Sequence, residues 1–236
     1  MTFINNFAFF WIGEDITIPK YLVNSINNCY KNQVNIYMLT NNRTPHINGV
    51  TKTIRSLLPK EIMLARLKAY SKIKNADQVI FLDADSLVLG KIEKINTDKS
   101  LILFRREKDG KILNHEYPEI YPEFENKTGD EMMPFLFGAI ITNGINSYKK
   151  FLTLYDIAKQ LPQRFHRWYG DQYALKIATE KTLIDFYEKD FNDYIHIIKN
   201  QEDLKEIKKS LVTFKGTKSK ELILQLYNSI FTDEPN

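Results

Sequence analysis

The sequence predicts an α/β fold with a mixed, largely parallel sheet, and three observations lead to this prediction. Short apolar runs, typical of strands buried on both faces, recur along the chain. Between them lie segments whose apolar residues step by three and four, the pattern of helices that cover a sheet. The chain has 236 residues, 43% of them hydrophobic, which suffices for one sizeable core. We therefore expect a single domain over residues 1–236.

The segment before residue 54 predicts a βαβ unit. Residues 7–12 are a continuous apolar run that ends at Gly13, as in a strand buried on both faces. A helix follows, because Pro19 suits a first helical turn. The next apolar residues fall on one face of that helix, namely Leu22, Ile26 and Cys29. A second strand at 34–39 precedes a polar loop at 40–53.

A second helix and a third strand lead to a pair of acidic residues. The helix is predicted from apolar residues on one face, namely Leu58, Ile62, Ala65, Ala69 and Ile73. Arg66 lies one residue off this stripe and can reach its edge. The apolar strand 79–82 then runs into Asp83-Ala84-Asp85, which we call the acidic motif. Because ligands of open α/β sheets bind beyond the carboxyl ends of the strands, the motif lies where a binding site is expected.

The second half of the chain continues the alternation around a long polar insert. A strand at 101–104 precedes the insert, which covers residues 107–130 and carries two Tyr-Pro steps. Long irregular segments in compact domains are typical of binding loops or mobile loops. Apolar and helical patterns predict further elements at 135–142, 147–160, 170–179, 183–187, 194–198 and 221–231. We expect residues 201–236 to form a C-terminal helical tail.

Charge and composition narrow the class of function. The net charge of +4, from 33 Lys and Arg against 29 Asp and Glu, is too small to indicate nucleic-acid binding but suits an anionic small ligand. Cys29 forms no internal disulfide because the sequence has no second cysteine, and its apolar helical setting predicts a buried thiol. The sequence shows no run of about 18 apolar residues and no export signal, so we expect a cytoplasmic protein.

The acidic motif suits a site for a diphosphate and a metal ion. A nucleotide-sugar donor carries two phosphates whose charge must be neutralised as the sugar leaves, and a hard divalent cation held by carboxylates does this. The expected cofactor is therefore Mn²⁺ or Mg²⁺. A plain polar turn after a strand is the alternative that stays open for the same residues.

The motif and its surroundings resemble the family 8 glycosyltransferases. Arg66-Leu67-Lys68 and the run from Val79 to Val88 match that family, including the spacing from the arginine to the acids. The opening Phe10-Trp11-Ile12-Gly13, followed by Ile18-Pro19, resembles instead the family 32 enzymes and the glucosylating toxins. Both groups belong to the retaining GT-A superfamily. The resemblance implies a GT-A fold in which a hexose moves from a nucleotide-diphosphate sugar to an acceptor.

The resemblance also implies which residues bind the donor. Asp83 and Asp85 would bind the metal ion and the donor ribose. Arg66 would contact the donor sugar or its phosphates, and Trp11 would stack on the base. A core position for Trp11 and a solvent-exposed position for Arg66 stay open as alternatives. Gly138, in a predicted strand, would let a ligand approach the backbone.

One further segment resembles a sugar-binding element of the family. Gly170 is followed by Asp171 and Gln172, which matches the start of a helix whose acid and amide touch the transferred sugar near the reacting carbon. The resemblance implies that these two side chains are the catalytic residues. Asp171 as a simple N-cap of the helix is the alternative, because Asp is favoured at that position.

The C-terminal match departs from the family at one residue. Thr213 stands at the position of a histidine metal ligand, and a hydroxyl is a poor ligand compared with imidazole. Metal affinity and the identity of the third ligand are therefore left open. Lys215 and Lys218 supply cations for the leaving diphosphate, or form an exposed basic turn.

The expected partners follow from this resemblance. A UDP-sugar is the expected donor, and a glycan or lipid-linked glycan of the cell surface, in polysaccharide or lipopolysaccharide synthesis, is the expected acceptor. The insert 107–130 would lie on the acceptor side. The C-terminal helix carries Leu222, Leu226 and Ile230 at steps of four, so it offers an apolar face to the inner surface of a membrane, although such faces more often belong to a core.

Two other functions are weighed against sugar transfer. The acidic motif also resembles the nucleophile and general acid of haloacid-dehalogenase-type phosphatases, but there it follows the first strand of the fold, and here two strands and two helices are predicted before it. A non-catalytic nucleotide-sugar binding module is compatible with Thr213 in place of histidine. Two retained carboxylates argue against it, because binding alone seldom needs a paired metal site.

Overall fold

The computed structural model describes residues 2–108, 110, 121–214 and 221–231. Within this part of the chain the strands are β1 Asn6–Phe10, β2 Asn35–Thr40, β3 Lys52–Arg55, β4 Val79–Leu82, β5 Ser86–Val88, β6 Leu101–Arg105, β7 Phe135–Thr142, β8 Phe186–Asp190, β9 Ile195–Ile198 and β10 Leu211–Phe214. The helices are α1 Thr17–Tyr30, α2 Ile62–Tyr70, α3 Gly129–Met132, α4 Tyr148–Gln160, α5 Gln163–Arg167, α6 Gly170–Glu180 and α7 Leu222–Phe231. Short 3₁₀ helices lie at Pro122–Phe124, Phe191–Asp193 and Glu202–Glu206.

The chain divides into two compact units. The first comprises Met1–Ser56, Gln78–Asn96 and Asn192–Asn236, and the second comprises Leu57–Asp77 and Thr97–Phe191. Each unit is therefore built from segments that are far apart in sequence. A single domain over residues 1–236 stays a prediction.

The first unit contains four parallel strands in the order β3-β2-β1-β4. Every residue of β1 and β4 is buried, as their continuous apolar runs predict. β1 pairs with β4 in a register that places Phe9 opposite Leu82. β3 begins at the end of the predicted loop 40–53 and extends beyond it, and it was not predicted, because its sequence is mostly polar and no residue of it is fully buried.

A smaller sheet in the same unit has the order β5-β10-β9. β10 runs antiparallel to β5 and parallel to β9. Its apolar face joins α7 in one cluster of buried residues, namely Leu87, Ile198, Val212, Phe214, Ile223 and Leu226. The segment 201–236 is thus not helical throughout, because β10 lies within it. Leu226 faces this core, whereas Ile230 is exposed.

The second unit contains three strands in the order β7-β6-β8. β6 pairs antiparallel with β7 and parallel with β8, so the strands of the chain as a whole are mixed and mostly parallel, as predicted. α2, α4 and α6 pack against one another, and α6 packs on β7. Tyr70 anchors this packing, since its ring stacks on Phe137 at 6.0 Å and meets the edge of Phe151 at 5.2 Å.

The described end of the insert is packed rather than open. Tyr121 and Phe124 are buried against Phe165, with ring centroids 5.2 and 5.9 Å away. Glu123, between them, forms an ion pair with Arg164. These contacts attach the insert to α5, while Tyr117-Pro118 and its neighbours lie outside the described residues. The acceptor-side role of 107–130 stays a prediction.

The helices of the described residues are either too short or too polar to cross a membrane.

Candidate functional site

The acidic motif lies at the carboxyl end of β4, as predicted. Ala84 is buried, and Asp83 and Asp85 on either side of it are half-buried. The chain then enters β5 without a gap, and the Phe214 N–H donates to the backbone oxygen of Asp85 at 3.2 Å. The buried strand on one side and the pairing with β10 on the other fix the backbone that carries the two carboxylates.

Thr213, which was left open as a third ligand, lies on the strand that pairs with the residues after the acidic motif. The register of β5 and β10 pairs Thr213 with Ser86, the residue that follows the motif. Both side chains are almost wholly buried, at 2% and 1% exposure. Neither hydroxyl oxygen has a hydrogen-bond partner among the described residues. Buried hydroxyls usually have a partner, so both oxygens retain the capacity to form a hydrogen bond. Ser86 was not identified from the sequence, because nothing in a short β-strand shows which residue of a distant strand it will pair with.

Trp11 lies at the same edge of the sheet as the acidic motif. It follows β1, which runs parallel to β4, so both features come after the carboxyl ends of paired strands. Trp11 is half-buried and is not a core residue. Its indole N–H donates to the backbone oxygen of Asp15 at 2.9 Å, which fixes the plane of the ring.

Arg66 and Asp171 form an ion pair in the second unit. Arg66 lies on α2 with a side chain that is 15% exposed, so it is not a solvated surface charge. Its guanidinium also stacks over the Phe137 ring, 4.7 Å from the centroid. Asp171 is fully buried on α6 and is not the N-cap residue, which is Tyr169. Its carboxylate accepts the backbone N–H of Gln172 at 2.7 Å.

Gln172 is held by an arginine that was not identified from the sequence. A guanidinium N–H of Arg106 donates to the side-chain oxygen of Gln172 at 2.5 Å. Arg106 directly follows β6 and is far from Gln172 in sequence. Only two weak signals in the sequence marked Arg106, namely its position just after a strand and its neighbour Arg105. Because the amide oxygen of Gln172 accepts this hydrogen bond, its NH₂ group is the part of the side chain that can donate to a ligand.

Gly138 and Gly170, the glycines of the two segments that resemble the family, lie in different surroundings. Gly138 lies within the fully buried strand β7. At Gly170 a Cβ atom would fall on the backbone oxygen of Phe165, far inside contact distance. Gly170 is therefore required for the close approach of α5 to the start of α6, which is a packing requirement.

The structure brings the predicted residues together in two groups. Trp11, Asp83, Asp85 and Thr213 belong to the first unit, and Arg66, Gly138, Asp171 and Gln172 belong to the second. Lys215 and Lys218 lie outside the described residues. Residues 2–108, 110, 121–214 and 221–231 contain no cluster of three His, Cys, Asp or Glu side chains that could hold a metal ion.

Cys29 takes no part in either group. Its Sγ donates to the backbone oxygen of Val88 at 3.1 Å. Burial raises the pKa of the thiol to about 11, which keeps it protonated at neutral pH and disfavours a nucleophilic role.

The fold matches those of solved glycosyltransferases. No protein-family model and no curated protein sequence matches the chain. The galactosyltransferase LgtC, solved with donor and acceptor sugar analogs, is 12% identical with a TM-score of 0.59, over 96% of each chain. A glycosyltransferase involved in glycosylation of the major capsid of PBCV-1 is 13% identical with a TM-score of 0.58, over 94% of this chain and 98% of that one. GlyE of Streptococcus pneumoniae TIGR4 is 12% identical with a TM-score of 0.57, over 95% of this chain and 60% of that one. The chain therefore has the GT-A fold of the glycosyltransferases that its motifs resemble.

Proposed function

We propose that the protein is a metal-dependent glycosyltransferase that moves a hexose from a UDP-sugar to a glycan acceptor. The observation that carries this proposal is the acidic motif at the carboxyl end of β4 in a chain whose fold matches a galactosyltransferase over 96% of both chains. A fold match at 12% sequence identity does not establish an activity, so the case for sugar transfer depends on the site residues.

The residues of the first unit fit a hard divalent cation. Mg²⁺ and Mn²⁺ take oxygen ligands, and Mg²⁺ sites in proteins often combine one or two carboxylates with water and substrate phosphates. Asp83 and Asp85 supply carboxylates, and Thr213, which pairs with the residue after the motif, carries a buried hydroxyl that we propose as a neutral oxygen ligand. When bound, the cation would neutralise charge on a diphosphate leaving group. This donor set holds no nitrogen or sulfur, which favours hard cations.

Trp11 supports the assignment of a nucleotide site. A half-buried indole with its N–H already bonded to the backbone presents a fixed aromatic face. Bases stack on such faces, as in other nucleotide-binding proteins. Lys215 and Lys218 are proposed to contact the departing diphosphate, as the resemblance implies.

The second unit supports a role for Asp171 and Gln172 toward the transferred sugar. Arg66 forms an ion pair with the buried carboxylate of Asp171 and so compensates its charge. Arg106 orients the amide of Gln172. A fixed carboxylate and a fixed amide are the groups that position sugar hydroxyls by directed hydrogen bonds. Retention of configuration and a role in cell-surface polysaccharide or lipopolysaccharide synthesis follow from the resemblance alone.

A test of this function measures UDP release. The native protein should release UDP from at least one of a panel of UDP-hexoses in the presence of Mn²⁺ or Mg²⁺, by transfer to water or to an added oligosaccharide. Asp85→Asn should lower the rate by at least about a hundredfold, because it removes a charged ligand of the cation. Asp98→Asn, the same substitution at an 87% exposed side chain, should leave it unchanged. UDP binding without any turnover would favour the non-catalytic binding module, and phosphate release from simple phosphate esters would favour the phosphatase.

A further inference from the structure

A cleft with a cationic lining lies in the second unit, at the start of α2. Its volume is about 650 Å³, and the residues that line it are Lys60, Glu61, Ile62, Gln163, Arg164 and Arg167. Ligand pockets in proteins have volumes of about 300–1,000 Å³, so this one has room for a saccharide unit with a charged substituent. Three cationic side chains face one carboxylate.

Two of the three cations are available to a ligand. Arg164 is compensated by Glu123, with which it forms an ion pair. Lys60 and Arg167 are both exposed, and neither forms an ion pair or a side-chain hydrogen bond with any residue that the structure describes. The lining therefore carries a local excess of positive charge with exposed donors, which attracts an anion.

The other lining groups suit a sugar. Gln163 offers an amide and Glu61 a carboxylate, and neither serves as a side-chain cap of the adjoining helix. Together they can accept and donate hydrogen bonds to hydroxyl groups. Ile62 is 37% exposed and gives the cleft an apolar wall. A simple inorganic anion needs neither an amide nor an apolar wall.

Two of the residues that line the cleft lie about one helical turn from the Arg66–Asp171 pair along the chain. Ile62 and Arg66 are four residues apart on α2, so their side chains are neighbours on one face of the helix. Arg167 ends α5, four residues before Asp171. The cationic cleft and the Arg66–Asp171 pair thus occupy adjoining parts of one unit.

We propose that this cleft binds an acidic saccharide, with its carboxylate or phosphate group against Lys60 and Arg167. Its role as the acceptor subsite rests on the proposed glycosyltransferase function, and it narrows the acceptor class to anionic glycans. Two classes of ligand fit this description, a uronic acid and a sugar phosphate. Both are sugars with at least one negative charge.

Binding of defined probes tests the cleft without any turnover. The probes are methyl β-glucuronide, glucose 6-phosphate and, as the neutral match, methyl β-glucoside, each titrated into ¹⁵N-labelled protein and followed by amide shifts. The native protein should bind at least one acidic probe about tenfold more tightly than the neutral one, because hydrogen bonds to charged groups are the stronger ones. If only methyl β-glucuronide binds, the ligand class is a uronic acid. If only glucose 6-phosphate binds, it is a sugar phosphate.

Paired variants place the effect at the cleft. Lys60→Gln/Arg167→Gln should lose the preference for the acidic probe. Lys72→Gln/Lys149→Gln removes the same number of charges from exposed positions of the same unit and should keep it. Three outcomes overturn the proposal. The first is a preference for the acidic probe that survives in Lys60→Gln/Arg167→Gln. The others are equal affinity of the native protein for charged and neutral probes, and no binding of the acidic probes. A separate titration with UDP tests the donor site, so failure of the cleft and failure of the glycosyltransferase function are told apart.

Discussion

The Asp171 carboxylate is wholly buried and lies against Arg66, whose side chain is 15% exposed. Breaking one partner of such a pair leaves a buried charge uncompensated, which costs more than the pair itself contributes. We expect Asp171→Asn to lower the free energy of unfolding by about 3 kcal/mol. Urea unfolding of the single variants and of Asp171→Asn/Arg66→Gln measures this, and the double variant should recover part of the loss. An Asp171→Asn protein as stable as the native one contradicts the structural role of the pair.

Thr213 offers a prediction on metal selectivity. Thr213 pairs with Ser86, the residue that follows the acidic motif, and imidazole binds Mn²⁺ better than a hydroxyl does. Thr213→His should therefore strengthen Mn²⁺ binding in the presence of UDP by about tenfold, a gain of about 1.4 kcal/mol, with little change for Mg²⁺. Thr213→Val, which keeps the shape, serves as the control and should weaken both. Calorimetry reports these affinities without turnover, and an unchanged Mn²⁺ affinity in the histidine variant would remove Thr213 from the site.

Asp185 gives the second unit a pH-dependent contribution to stability. Desolvation alone would raise the pKa of its carboxyl, but the Lys150 ammonium and the N–H and hydroxyl of Ser100 together hold this pKa well below the ordinary value. Because the pKa is lower in the folded state, ionised Asp185 stabilises the folded protein at pH values above the unfolded-state pKa of about 3.9. This contribution is lost as the pH falls toward the folded-state pKa. Asp185→Asn should cost about 1 kcal/mol at pH 7 and less as the pH drops below about 4. Urea midpoints at several pH values measure it, and a loss independent of pH contradicts the assignment.

At the scale of elements, the junction of α5 and α6 depends on one glycine. A methyl group at Gly170 would meet the backbone oxygen of Phe165, which cannot move aside as a flexible side chain would. Gly170→Ala should lower the free energy of unfolding by about 1–3 kcal/mol, the usual cost of overpacking. Gly144→Ala, at a position with open space around it, is the contrast, and its cost should come from its positive φ alone. Equal stability of Gly170→Ala and native protein would contradict this packing.

Elements with a continuous apolar pattern were predictable, and elements decided by tertiary contacts were not. β4 and β7 have the predicted bounds, because β4 is a buried run between polar residues and β7 is a buried run between Pro134 and Asn143. β3 has a polar sequence and gains its structure from pairing with β2. α2 is shorter than its apolar stripe suggested, since Pro59 disfavours helical structure at the residue before it and the helix begins only at Ile62.

At the scale of the whole molecule, the alternation of strands and helices was enough to predict the fold class. The candidate site was predictable where its residues are adjacent in sequence to a strand end or a helix start, as for the acidic motif and Asp171. Arg106, Ser86 and the cleft at Lys60 and Arg167 could not be predicted. Each depends on residues brought together by folding, and a sequence pattern does not contain such contacts.

The measurement that tests the central claim most directly is calorimetric titration of the native protein with UDP, with and without Mn²⁺. We predict binding that requires the metal ion and that is lost in Asp85→Asn, while Asp98→Asn binds as the native protein does. Equal UDP binding with and without Mn²⁺, or no UDP binding under either condition, would contradict a metal-dependent donor site at the acidic motif.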